Sequence, residues 1–242
     1  MYSFTSNIRF SEVDIERNLS LSSIVNYFQD CSTFHSEAVD RGFDYLAKQE
    51  RVWLMSAWQV IIYRHPRFGE AIRIGTWPYD FKSMYGYRNF VIQDPVSNET
   101  LVAANSIWVY ADTKTGRPVK ILPENCEGYV NEPPYPMDYC ERKIALPTNS
   151  EELPSFPVTQ SQLDYNRHVN NGQYIRMAEA YLPDGFIVGE FRADYRKSAV
   201  ADNIIHPLRS LTETTCTIVL ADETGKPYTT VQFFRKEETS NK

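Results

Sequence analysis

Apolar residues recur at helical spacing in one early stretch and at strand spacing over most of the rest of the chain. Leu21, Ile24, Val25, Phe28 and Cys31 fall three and four apart, which predicts an amphipathic helix over 21–38. Ser20 is placed to cap its start, and Asp40-Arg41-Gly42 to end it. Residues 2–10 read as a strand before it, followed by a turn at Asp14–Asn18. Downstream, 51–63, 71–80, 87–93 and 101–111 are rich in Val, Ile, Trp, Tyr and Phe and are divided by turn residues, so four strands are predicted. Between Pro118 and Pro157 the periodicity fades and eight of the 14 prolines accumulate, the composition of an interdomain linker.

After that stretch the order starts again. A short strand at 154–163 leads to a polar turn and a helix at 171–182, stopped by Pro183-Asp184-Gly185. Strands at 187–197, 203–211, 214–221 and 227–235 complete the chain, with Asp222–Pro227 as a turn. The repeat extends to single residues. Asp14 and Arg17 sit over Asp164 and Arg167 at one offset, 164 − 14 = 167 − 17 = 150. Tyr63-Arg64 and Gly69-Glu70 sit over Tyr195-Arg196 and Ala201-Asp202 at an offset of 195 − 63 = 132. Three regions follow: an N-terminal half at 1–122, a linker at 123–153 and a C-terminal half at 154–242. Each half pairs one long helix with a curved antiparallel sheet that a single helix cannot cover. Joining two such sheets edge to edge gives an α+β tandem (double) hot-dog fold.

Composition narrows the function. A chain of 242 residues can bury two cores without disulfides or metals. The net charge of −6 and the lack of a Lys/Arg run argue against a nucleic-acid binder and a general anionic-membrane binder, while leaving room for one local basic patch. No apolar run approaches the length of a membrane span, and the first residues show neither a basic nor an apolar leader region. The four cysteines form no CxxC pair and have no histidine at ligand spacing, so reduced thiols in a cytoplasmic protein without a metal are expected. The 14% aromatic content points to large apolar surfaces, in a core or along a pocket.

The candidate chemistry lies at the second turn. Of four histidines, His65 and His206 precede prolines and read as surface or packing residues, and His35 reads as solvated, late on the first helix. His168 stands apart, two residues from Asn166 and four from Asp164, just before a helix that Asn170 or Asn171 can cap. Carboxylate, amide and imidazole thus gather beside helix-start N–H groups near Asn171 and Gly172, the parts that water attack on a thioester needs. A polar Asx-type turn with no chemistry fits the same residues. The halves differ here: Asn166 and His168 correspond to Glu16 and Asn18, while the Asp and Arg are retained. One active site per chain follows. All four tryptophans (Trp53, Trp58, Trp77, Trp108) fall in the first half, where an acyl tunnel and a plain aromatic core explain them equally.

At these residues the chain resembles the acyl–acyl-carrier-protein thioesterases of plants and bacteria. Asp164-x-Asn166-x-His168-Val169-Asn170-Asn171 is similar to that family's active-site signature, and its Asp-x-x-x-His-Val-Asn-Asn skeleton also occurs in single hot-dog thioesterases acting on coenzyme A esters. Trp53–Glu70 and the run from Ile107 through Arg117 to Ile121-Leu122-Pro123-Glu124 extend the likeness over roughly 5–235. The resemblance implies that Asp164 and His168 orient and activate water, that Asn166 holds the thioester carbonyl or the catalytic geometry, and that Asn171 marks the oxyanion donors. Asn171 and Trp53 are the expected substrate-binding residues. Where the plant enzymes carry a Glu and a neighbouring Cys, this chain has Ser198-Ala199, so a Cys nucleophile is absent and Ser198 is at most auxiliary.

The implied partner is acyl carrier protein with a phosphopantetheine-linked acyl chain, and hydrolysis calls for no cofactor. That carrier is acidic, so Arg64, Arg67, Arg192, Arg196 and Lys197 are the expected docking cations, with a solvated strand face as the alternative. The implied reaction yields free fatty acid and holo carrier, ending fatty acid synthesis. A hot-dog hydratase or dehydratase, an acyl-coenzyme A thioesterase and a non-catalytic acyl-binding protein are the other readings. Oligomeric state stays open, a homodimer included.

Overall fold

The computed structural model describes residues 1–237, an α+β chain of two compact units. The first comprises Met1–Ser56 and Tyr63–Cys140, the second Ala57–Ile62 and the chain from Glu141 onward.

In the first unit, β1 (Tyr2–Asn7) leads into α1 (Leu21–Ala38), which has the predicted bounds. The Ser20 side chain accepts from the Ser23 N–H, as predicted for the cap. A second helix, α2 (Phe43–Gln49), was not predicted. It is short and buries no residue, so it leaves no apolar period in the sequence. Then come β2 (Arg51–Ile62), β3 (Ala71–Lys82), β4 (Tyr85–Gln93) and β5 (Thr100–Asp112). The antiparallel order β1-β3-β4-β5 aligns Phe4 with Ile74, Ile74 with Ile92, and Phe90 with Ala104. The apolar stripe of α1 is buried, and Phe28 lies with its ring 5.0 Å from Phe90.

The second unit holds β6 (Glu151–Glu152), β7 (Phe156–Pro157), α3 (Asn171–Glu179), β8 (Val188–Tyr195), β9 (Ile204–Leu211), β10 (Thr215–Ala221) and β11 (Pro227–Arg235). Its order is residues 57–61 of β2, then β8-β11-β10-β9-β6, with β7 against β9. Here α3 ends three residues earlier than the 171–182 expected, and the strand expected at 154–163 is only β7 followed by a 3-10 turn at Gln160–Gln162.

The internal repeat holds down to backbone hydrogen bonds around each helix start. Both helices start 150 residues apart, at Leu21 and Asn171, after 3-10 turns at Phe10–Glu12 and Gln160–Gln162. The bridges Val13–Leu19 and Leu163–Val169 correspond, and Arg17 (φ 65°) and Arg167 (φ 61°) share the left-handed conformation. The later offset needs correction. The N–H of Gly69 bonds to Ile8 O as that of Asp202 bonds to Val158 O, and Leu19 N–H bonds to Pro66 O as Val169 N–H bonds to Ala199 O. Both pairs give 202 − 69 = 199 − 66 = 133 rather than 132, so Ser198 corresponds to His65. Side-chain matching misses this by one because Tyr-Arg recurs in both halves, whereas backbone bonding sets the register.

The Pro-rich stretch is fastened rather than loose. The Glu132 N–H bonds to Pro78 O, the Trp77 indole N–H to Pro133 O, and the Tyr135 N–H and Tyr139 hydroxyl both to Asn89 Oδ1, all within the first unit. From Glu141 onward the stretch belongs to the second unit, where Ile144 is buried and the Leu153 N–H bonds to Pro207 O. Trp58 and Trp77 are buried; Trp53 and Trp108 are partly so. His35 is not solvated: Tyr2 stacks on it at 5.3 Å and burial holds its imidazole down to about 4. Among the described residues no helix is long and apolar enough to cross a membrane.

Candidate active site

The turn 164–169 belongs to the second unit and is built by Asp164. Its Oδ1 accepts the N–H groups of Asn166 (2.8 Å) and His168 (3.2 Å), its own N–H donates to His168 O (2.7 Å), and its carbonyl accepts from Arg167 N–H (3.0 Å). Arg167 is thereby held at positive φ, which costs a non-glycine residue energy that these bonds offset. The first unit repeats every one of these bonds with Asp14, Glu16, Arg17 and Asn18. The Asx-type turn is therefore real in both halves. The polar turn and the catalytic reading are thus not rivals, because one Oδ1 builds the turn while the residues displayed on it differ.

Those residues face solvent. Asn166 and His168 are exposed, Asp164 is half-buried, and among the described residues no protein group bonds the His168 imidazole, the Asn166 amide or Asp164 Oδ2. The next residue, Val169, is buried at 3% exposure and anchors the turn. Its N–H donates to Ala199 O (2.9 Å), and the Ala199 N–H donates to the buried Tyr174 hydroxyl (2.7 Å) on α3. Ser198 is thus held one residue from the contact that fixes the turn, with its side chain exposed.

At the start of α3 the cap is Asn170, whose Oδ1 accepts the Gly172 N–H (2.8 Å), and the Gln173 N–H bonds to Asn170 O. The expectation that Gly172 offers a free donor is therefore wrong, because the cap consumes it. The Asn171 carbonyl accepts from the Tyr195 hydroxyl (3.0 Å), and the Tyr195 ring meets Tyr174 edge-on at 6.0 Å. Burial pushes both phenols well up, so each stays a neutral hydrogen-bonding group. These two tyrosines were missed in the sequence. The available signal was Tyr174 on the buried face of α3, three residues after Asn171.

Four of the five expected docking cations are already engaged. Arg64 grips Glu70 through both terminal nitrogens, Arg196 pairs with the buried Asp194 (3.0 Å), Lys197 pairs with Asp222, and Arg192 donates to the carbonyls of Glu141 and Lys143. Arg67 remains exposed. Trp53 lies in the first unit, its ring 4.7 Å from Tyr110 and 6.2 Å from Phe81. Among the described residues no cluster of His, Cys, Asp and Glu can hold a metal, and none of the four cysteines is in a disulfide.

Residues 1–129, over half of the chain, match the family model of the acyl-ACP thioesterase N-terminal domain. The chain belongs to the acyl-ACP thioesterase family. It is 25% identical over 223 residues to a chloroplastic palmitoyl-acyl carrier protein thioesterase of Arabidopsis thaliana, covering 85% of this chain and 54% of that protein. A dodecanoyl-[acyl-carrier-protein] hydrolase of Umbellularia californica is 24% identical over 86% of this chain and 58% of its own. The chain thus spans just over half the length of such curated relatives. Among solved structures, an acyl-ACP thioesterase from Bacteroides thetaiotaomicron superposes with a TM-score of 0.87 at 17% identity, over 97% of both chains. The 12:0-ACP thioesterase of Umbellularia californica gives 0.85 at 20% identity, over 98% of this chain and 97% of that one. The fold is the tandem hot-dog expected from the repeat.

Proposed function

We propose that the protein hydrolyses fatty acyl thioesters of acyl carrier protein to free fatty acid and holo carrier, ending fatty acid synthesis. The observation that carries this is the asymmetry of two turns with the same backbone bonds: the second displays Asn166 and His168 where the first has Glu16 and Asn18, in a family named for this substrate. His168 takes a proton from water as the water oxygen bonds to the thioester carbonyl carbon. The oxyanion forms beside the start of α3, near Asn171 and the Asn166 amide. The C–S bond then breaks, and the proton returns to the leaving pantetheine thiolate. Asp164 keeps Oδ1 in the turn and offers Oδ2 to water or the imidazole. Ser198 is an auxiliary group.

The first half, with Trp53, receives the acyl chain, and one His168 turn per chain gives one site whether the protein acts alone or as a homodimer. With internal pairs claiming most basic candidates, Arg67 is the cation left to greet an acidic carrier. Four cysteines outside any disulfide, two of them buried, fit a reducing cytoplasm. The test is a panel of saturated acyl carrier protein esters, with coenzyme A esters alongside, scored for free thiol and free fatty acid. Thiol release from the carrier esters, lost in His168→Ala, is expected. No release from any saturated carrier ester sinks the reading; release from coenzyme A esters alone moves the substrate to coenzyme A.

A further inference from the structure

A buried cation in the first unit lacks an anion. Arg88 on β4 is only 7% exposed, and no carboxylate pairs with it among the described residues. One of its terminal nitrogens, Nη1, lies 2.9 Å from His35 Nδ1 and 3.2 Å from Thr76 Oγ1. The Tyr129 ring lies 5.3 Å from the guanidinium carbon, and its hydroxyl donates to Ser36 (2.7 Å). Since Nδ1 faces a guanidinium donor, it accepts, and the imidazole N–H sits at Nε2. Burial and the guanidinium charge together keep that imidazole neutral. Desolvating an arginine without a counter-charge is costly, and arginine stays protonated even so. Nε and Nη2 have no protein partner among the described residues, which leaves the bidentate edge that carboxylates prefer unfilled.

An apolar path leads away from this cation. Tyr2 and Phe4 on β1 face α1: Tyr2 stacks on His35, and Phe4 meets Phe34 edge-on at 5.6 Å and Tyr27 at 6.3 Å. Phe34 is 47% exposed, so this aromatic cluster reaches the surface. A buried positive charge beside an aromatic cluster that reaches the surface at Phe34 fits a ligand with one anionic head and one apolar tail.

We propose that Arg88 binds the carboxylate of a free fatty acid whose tail lies along the seam of Tyr2, Phe4 and Phe34. The choice of a fatty acid rests on the reaction proposed above, which releases one; the unpaired guanidinium does not. The site would let product act on the enzyme through residues other than those of the His168 turn. It is tested by binding rather than turnover, so its failure and the failure of the hydrolase reading are distinguishable.

Calorimetric titration of the full chain with sodium decanoate, below its micellar range, is the direct measurement. Acetate, 1-decanol and inorganic phosphate serve as head-only, tail-only and other-anion probes. Arg88→Met should weaken decanoate by about tenfold or more, the loss of a charge-assisted pair. Arg88→Lys should weaken it less, and Phe34→Ser should weaken decanoate but not acetate. Decanoate affinity unchanged in both Arg88→Met and Phe34→Ser overturns the proposal. So does phosphate displacing decanoate at equal concentration, or 1-decanol binding with the same dependence on Arg88. If thermal melts show that Arg88→Met does not fold, the exposed Phe34 decides: wild-type affinity in Phe34→Ser overturns the site.

Discussion

The two aspartates at Asp14 and Asp164 separate structure from chemistry. Each carboxylate spends Oδ1 on two backbone N–H groups of its turn. Replacing either by Ala leaves those donors unpaired and should cost stability on the order of 1–2 kcal/mol. Asn keeps an acceptor at Oδ1, so Asp14→Asn and Asp164→Asn should both melt close to wild type. They should part in activity. Asp164→Asn and His168→Ala should each lower kcat by orders of magnitude, whereas Asp14→Asn should leave kcat near wild type. Near-normal turnover in Asp164→Asn would confine that residue to building the turn. Ser198→Ala should cost less than either, because its hydroxyl has no protein partner among the described residues. The polar turn headed by Asp164 and the asparagine cap behind it were readable from residue types and spacing. What escaped was the consumption of the Gly172 N–H, because which asparagine caps a helix depends on backbone angles that Asn170-Asn171 leaves open.

Between elements, the Asp164–Val169 turn depends on a chain of contacts running from α3 to the loop after β8 and back to Val169. Its centre is the Tyr174 hydroxyl, the acceptor for the Ala199 N–H, whose carbonyl in turn accepts from Val169. Tyr174→Phe removes that acceptor and leaves a buried N–H unpaired, a loss of about 1–3 kcal/mol by chemical denaturation. Because His168 is adjacent to Val169, kcat should fall as well, with KM changing less. Equal kcat in Tyr174→Phe and wild type would show that the turn holds its shape without the tyrosine. Strand positions were legible to within a few residues because alternating apolar runs bounded by turn residues recur in both halves. By contrast, α2 left no trace, since seven residues with none buried carry no pattern. The fastening of 118–140 escaped for another reason: it rests on single contacts, such as the Trp77 indole to Pro133 O, that no periodicity encodes.

Across the whole molecule, charge is arranged so that acid should undo the fold in two stages. Carboxylates at three strand-connecting turns accept backbone N–H groups: Asp94 from Val96 and Ser97, Asp112 from Lys114 and Thr115, and Asp222 from Thr224 and Lys226. Backbone bonds lead in lowering Asp94 and Asp112, the Lys197 ammonium leads for Asp222, and the Arg64 guanidinium leads for Glu70. A folded pKa below the unfolded one means that the stabilisation is present above the unfolded value, about 3.9 for Asp, and disappears as pH falls through the folded value. His35 acts earlier with the same sign. Its imidazole is held at about 4 in the folded chain against about 6.5 unfolded, so the unfolded state binds the extra proton between those values. Stability should therefore decline gently from about pH 6.5 to pH 4 and steeply below. Melting curves taken from pH 8 to pH 3 should show both limbs in the wild type. In His35→Gln, which retains an acceptor for Arg88 but cannot titrate, the upper limb should vanish while the lower one persists. An unchanged upper limb in that variant would place the early titration elsewhere, because among the described residues His35 is the one group beside Arg88 whose folded value is brought between those limits.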